Sequence, residues 1–270
     1  MASRLTRSVE SMPGSLRSMY RSVPTTCFLQ ARRGNATTID KKPKLIDLSR
    51  ELYHRSPAHP FHPPVVLTPW DVHQPKRAGN TVLRSASYAL SMSDHAGTHV
   101  DAPKHFDPTP GALSIDQMPI EDFYTEAICL DLSHVELKAT ISVKEMEDAL
   151  AASGQEIKQG DTVMVYMAFN KRVPFDDPRW QHDFPGLSLE AVHWLADKGA
   201  KIFGVEAISP APEGEPNFQA HNACGERGIT HIEGLDNLDA VVNKRFRFMG
   251  FPLKIREGSG GPMRAVALLE

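Results

Sequence analysis

The chain of 270 residues is poor in cysteine: Cys27, Cys129 and Cys224 are its three. They are too few and too scattered for a disulfide framework or a CxxC zinc site, so a soluble intracellular protein is expected. No apolar run approaches the ~18–20 residues that a membrane-spanning helix needs, which excludes an integral membrane protein of that kind. An excess of positive charge is also missing. Against 33 Asp+Glu stand 30 Lys+Arg, a net charge of -3, and a general nucleic-acid binder is normally basic. Neither a GxSxG elbow nor a GxxxxGK[ST] loop occurs, which leaves serine-hydrolase and nucleotide-hydrolase readings without support. The glycines of "EGSGGP" lack GxGxxG spacing and close on Pro262. The composition itself, 41% hydrophobic and 23% charged, is that of a globular protein long enough for a sizeable core.

The charge is unevenly spread. Residues 1–39 hold six arginines (Arg4, Arg7, Arg17, Arg21, Arg32, Arg33) and one acid, Glu10; they carry +5 and leave -8 for residues 40–270. An Arg-rich, Ser-rich and acid-poor segment has the composition of a mitochondrial transit peptide. The alternatives are a disordered tail on a cytoplasmic protein, or a start placed too early, since Met12 and Met19 could also begin the chain. Two units follow: a basic extension over 1–39 and one folded domain over 40–270.

That domain opens with a strand-like run at Leu45–Leu48. "HRSPAHPFHPPVVLTPWDVHQP" follows, whose prolines deny it a long helix or a central strand and mark it as a surface loop. "TVLRSASYALSMS", "EAICLDLSH", "GDTVMVYMAF", "KIFGVEAIS", "GITHIEGL" and "MRAVALLE" read as strands. "SVKEMEDALAASG" reads as a helix with Ser142 as N-cap, Glu145 three residues on and Gly154 at its end, and "SLEAVHWLADKGA" repeats the pattern behind Ser188. Strands alternating with helices indicate an α/β domain.

The chemistry concentrates in "SDHAGTHVDAPKHF", which places His95, His99, Asp101 and His105 within eleven residues. Imidazole and carboxylate are the usual ligands of zinc or manganese. On an extended strand His95 and His99 would stand about 13 Å apart at ~3.3 Å per residue. A turn brings them within about 6 Å, and Gly97 permits one. Pro103 disfavours helix at Ala102, so Asp101 falls where the chain leaves that turn, and His99, Asp101 and His105 can face one cavity. Phe61, His62, Trp70 and His73 of the Pro/His-rich loop are candidates for a pocket wall, with Phe61 and Trp70 the candidate substrate-binding residues. Aromatic side chains there would suit a flat substrate; the competing reading is that Phe61 and Trp70 anchor the loop to the core.

"HAGTHVDAPKHF" resembles the HxGTHxDxPxH signature of the cyclase family, which contains bacterial-type kynurenine formamidase and isatin hydrolase. "LIDLSREL", "FGVEAIS", "HNACGERGITHIEGLDNL" and "GGPMRAVAL" resemble further family segments in the right order, so the resemblance spans most of residues 45–270. It implies a single α/β domain of the swivelling β/β/α type, forming a homodimer or larger homo-oligomer. It also implies a site of one or two divalent ions, zinc or manganese, with His95, His99 and Asp101 as first ligands. Asp101 would be able to bridge two ions, and His221 and Glu233 would complete the set. His105 matches the general acid/base; His231 is a competing ligand that does not match the motif. The sequence departs from the family at Ser209-Pro210-Ala211-Pro212 and at Tyr166-Met167-Ala168-Phe169, two segments expected near the substrate pocket.

The function these features imply is metal-dependent hydrolysis of an amide, lactam or ester bond in a small cyclic or aromatic molecule, arylformamidase- or isatin hydrolase-like. A metal-dependent cyclase or dehydratase of secondary metabolism is the alternative on the same residues, and a non-catalytic metal-binding protein the third reading.

Overall fold

The computed structural model describes residues 43–269. The basic segment 1–39, and the targeting role expected of it, lie outside the described residues. In chain order the elements of the first half are β1 (Lys44–Asp47), β2 (Val66–Ala78), β3 (Thr81–Ser91), β4 (His99–Asp101), α1 (Pro103–Phe106), β5 (Tyr124–Asp131), β6 (Thr140–Ile141) and α2 (Val143–Ser153). The second half holds β7 (Thr162–Tyr166), α3 (Phe169–Arg172), β8 (Gly186–Leu187), α4 (Leu189–Asp197), β9 (Ile202–Val205), α5 (Glu215–Arg227), β10 (Thr230–Glu233), β11 (Arg245–Met249), β12 (Gly260–Pro262) and β13 (Val266–Leu269). Among the described residues no helix is long and apolar enough to cross a membrane.

Nine strands form one mixed sheet in the order β1-β13-β11-β5-β7-β9-β10-β4-β12. The central strands β5, β7, β9 and β10 run parallel, and antiparallel strands extend the sheet on both sides. Both faces of the centre are covered. Along β5, Ile128 and Leu130 enter one core while Ala127 and Cys129 enter the other; Val163 and Val165 oppose Met164, and Phe203 opposes Ile202. Strands buried on both faces need apolar residues at every position, so they read as continuous runs. Helices α2, α4 and α5 close the first face through Met146, Ala191, Leu195 and Ala223. Leu48, Val100, Leu238 and Phe248 fill the second.

Local chemistry sets the helix ends. The Ser142 hydroxyl accepts from the Glu145 amide, the Glu145 carboxylate accepts from the Ser142 amide, and Gly154 ends α2 in the left-handed conformation at φ 64°. At α4 the Ser188 hydroxyl accepts from the Ala191 amide, a cap without the reciprocal carboxylate. Helix α5 was not evident from periodicity, because it buries little: Ala220, Ala223 and Cys224 are its buried residues.

The Pro/His-rich stretch is only half a loop. From Val66 onward it is β2, paired with β3 in a two-stranded ribbon separate from the main sheet. The prolines do not prevent this. The register shifts between Pro69 and Asp71 and again between Val72 and Pro75, and such irregularities are where a strand tolerates a residue without an N–H.

Candidate metal centre

Strand β4 is three residues long and carries the site because of what flanks it. It lies between β10 and β12, antiparallel to both, with Glu233 opposite His99 and Gly260 opposite Asp101. The two-residue period turns His99 and Asp101 to one face and sends Val100 into the core. In β10 the same period aligns His231 with Glu233 while Ile232 is core.

Before β4 the chain turns at Gly97, φ +65°, a conformation glycine adopts without strain. The turn brings the His95 and His99 rings to 5.1 Å between centroids. After β4, Ala102 is extended (φ -88°, ψ 153°) and Pro103 opens α1, which carries His105. His221 comes from α5; its Nδ1–H donates to the Asn217 carbonyl at 2.8 Å, leaving Nε2 3.8 Å from Asp101.

These side chains converge on Asp101, which is buried. His95 Nδ1 lies 2.8 Å and His99 Nε2 3.4 Å from its Oδ1. His231 Nε2 at 3.3 Å and His105 Nε2 at 3.6 Å face its Oδ2. The Glu233 carboxylate stands 3.3 Å from His99 and 3.2 Å from His231. Two sets of donor atoms, each set within 4.8 Å of one another, share Asp101: His95 and His99 complete one, and His221, His231 and Glu233 the other. Nitrogen and carboxylate donors in this mixture suit zinc or manganese. Among the described residues the buried His99 Nε2 makes no well-aligned hydrogen bond, while its Nδ1–H donates to the Gly97 carbonyl at 2.9 Å. The Gly97 bond thus turns Nε2 toward the carboxylates, where a bound ion would take the place of its proton, as in a metal site whose other ring nitrogen is fixed by a carbonyl. The residues therefore fit a divalent ion.

At His99, His231, Asp101 and Glu233 burial works against charge and mutual attraction outweighs it, whereas at His221 burial prevails and the imidazole is lowered. Asp101 and Glu233 hold His99 up at about 10 and His231 is also well above its ordinary value, chiefly through Asp101. In return Glu233, beside His231 and His99, is held down at about 2, and Asp101 is well below the carboxylate range. Burial also dominates at His105 and lowers it to about 4, so it is a neutral imidazole at pH 7.

A cavity of about 530 Å³ opens over the cluster. Asp101, Glu233 and His105 lie at its polar end, and Phe106, Ile208 and Phe218 give it apolar walls. The Ser209 hydroxyl donates to the Asn217 carboxamide oxygen at 2.5 Å on the same wall.

All six ligand and acid/base candidates, His95, His99, Asp101, His105, His221 and Glu233, meet in this one place, and His231 joins them. The alternation of "THIE" was the signal that pairs His231 with Glu233. Phe61 stands at the cavity rim, 82% exposed. Trp70 does not line the cavity and does not anchor to the core: it is on β2 of the ribbon, 81% exposed, because the loop ends at Val65 and the chain runs out from the body as a strand. His73 is on the same strand. Of the two departing segments, Ser209 lines the cavity and Tyr166–Phe169 does not. Met167 and Phe169 are core residues, held by Glu206, whose carboxylate accepts the Met167 and Phe169 amides at 2.6 and 3.3 Å. Asn217 and Phe218 were missed; both lie one turn before cavity residues of α5, His221 and Asn222, a spacing visible only once the helix is known.

A family model described as "Putative cyclase" matches residues 46–212. The kynurenine formamidase of Erythrobacter litoralis is 29% identical over 177 residues, covering 66% of this chain and 74% of that protein. The kynurenine formamidase of Paracidovorax citrulli is 27% identical over 215 residues, 73% of this chain and 94% of that protein. Among solved structures, isatin hydrolase A from Ralstonia solanacearum superimposes with a TM-score of 0.71 at 25% identity, covering 84% of this chain and 92% of that one.

Proposed function

Because the chain belongs to the putative cyclase family, we propose that it is a metal-dependent hydrolase cleaving an amide, lactam or ester bond in a small cyclic or aromatic molecule. The observation that carries this reading is the convergence of buried imidazoles on Asp101 beneath a largely apolar cavity, with His105 beside them. His95, His99, Asp101, His221, His231 and Glu233 would hold zinc or manganese, one ion or two sharing Asp101. A divalent ion supplies Lewis acidity when bound, polarising a carbonyl and acidifying a water.

The chain's own groups do the rest. His105, neutral at pH 7 and partly open to the cavity, takes the proton of the attacking water and returns it to the leaving nitrogen or oxygen. Phe106, Ile208 and Phe218 bind the face of an aromatic ring and exclude water from it. Asp101 and Glu233 keep the surrounding imidazoles in place and remain ionised throughout.

A second copy of the chain is the proposed partner. The β2–β3 ribbon exposes Trp70, Val72, Leu83, Tyr88 and Leu90, and a lone two-stranded ribbon is marginal in water unless a surface packs on it.

The test is elemental analysis and hydrolysis of N-formylkynurenine and isatin by wild type, His99→Ala/Asp101→Ala and His105→Ala. Stoichiometric zinc or manganese, lost in the double variant, is expected. His105→Ala should keep its metal and lose roughly 10²–10⁴-fold in kcat. A wild-type protein that takes up neither metal would refute the reading.

A further inference from the structure

The cavity wall nearest His95 is the loop before the ribbon, and it is built to hold a shape. The Arg55 amide donates to the Val65 carbonyl at 2.8 Å, which closes the loop at its neck. The His62 amide donates to the His59 carbonyl at 2.9 Å, a turn with Pro60 at its second position, where proline's fixed φ is already the one required. The Gln181 side-chain amide donates to the Ala58 carbonyl and ties the loop to the body. His62 is thus presented from a closed, anchored segment.

Its ring lies flat on His95, with centroids 4.9 Å apart and planes 2° from parallel. Both edges of His95 are faced by polar groups: Nδ1 points at the cluster, 2.8 Å from Asp101 Oδ1, and Nε2 is held 2.9 Å from Ser259 Oγ. Gly260 passes so close that a Cβ there would stand 2.7 Å from the His95 ring. With Ser259 and Gly260 against the ring on the protein side, the side of His95 left open faces the cavity, and His62 covers it.

We propose that His62 is a positioning residue of the metal centre, bracing His95 face-on in its coordinating orientation. This rests on the metal-centre reading above. Outer partners that orient a ligating imidazole govern metal affinity by about 10–100-fold, and loss of one aromatic contact corresponds to about 2–12-fold. The brace needs a flat ring rather than a nitrogen, so phenylalanine can replace it.

The experiment strips the full chain of metal and titrates zinc against a chromophoric competing chelator, for wild type, His62→Ala and His62→Phe. His62→Ala is expected to bind zinc about 2–12-fold more weakly and to release it faster to excess chelator, with His62→Phe within about twofold of wild type. Wild-type affinity in His62→Ala overturns the proposal. So does a His62→Phe variant as weak as His62→Ala, which would make the nitrogen, and direct ligation, the operative feature. A wild-type chain that binds no zinc overturns the metal-centre reading itself, a result separate from either.

Discussion

At the scale of single residues, two buried carboxylates outside ordinary behaviour have different causes. Glu233 is held low by two imidazoles. Glu206 has no such partner within bonding distance: burial pushes it up to about 7 from 4.5, against the pull of the Met167, Phe169 and Asn170 amides. The consequence is a pH dependence of folding. Below pH 4.5 the carboxyl is protonated in both states. Between 4.5 and 7 the unfolded chain ionises while the folded chain keeps its proton, so stability falls as pH rises, by up to about 1.4 kcal/mol per pH unit. Glu206→Gln keeps an oxygen for the Met167 and Phe169 amides, gives up only the 3.4 Å contact with the Asn170 amide, and removes the titration. Urea unfolding across pH 4.5–7 should lose this downward slope in the variant; an unchanged slope would assign it to other groups.

At the scale of elements, the site depends on strands placed by pairing and on helices placed by caps. Antiparallel register sets Glu233 across from His99; a slip of one residue would turn the whole acidic and imidazole set into the core. Helix α2 is exposed on its outer side and relies on its ends. Its capping box satisfies two amides, one from each partner. Ser142→Ala should therefore cost about 1 kcal/mol and lower Tm by roughly 2–4 °C for a domain of this size, measured by calorimetry, with metal content unchanged. A loss confined to metal content would contradict this account, since α2 lies away from the cluster.

At the scale of the whole molecule, the sheet supplies a rigid body and the ribbon an arm that its own domain does not cover. Replacing Trp70 and Tyr88, both more than half exposed, by serine removes apolar surface without disturbing the main core. Light scattering should then report a shift from dimer toward monomer at micromolar concentration, with the helical circular dichroism retained. A wild-type monomer, or a variant that stays dimeric, would remove the ribbon from the interface.

Much of this protein was legible in its sequence. The α/β class, β1, β3, the central strands and helices α2 and α4 with their serine caps follow from period and end chemistry, which are local properties. The turn at Gly97 and the extended Ala102 before Pro103 follow from backbone sterics within a few residues, and with them the meeting of His95, His99, Asp101 and His105. The partnership of this segment with His231, Glu233 and His221 is of another kind. More than a hundred residues separate them from Asp101, and only the pairing of β10 with β4 and the docking of α5 bring them within reach. Trp70 shows the same limit from the opposite side: residues 61 and 70 share one Pro-rich stretch, yet one reaches the cavity rim and the other stands on an exposed ribbon. Local sequence sets backbone conformation and side-chain type; which side chains face each other across a sheet is decided by long-range strand register, and that is a property of the folded chain alone.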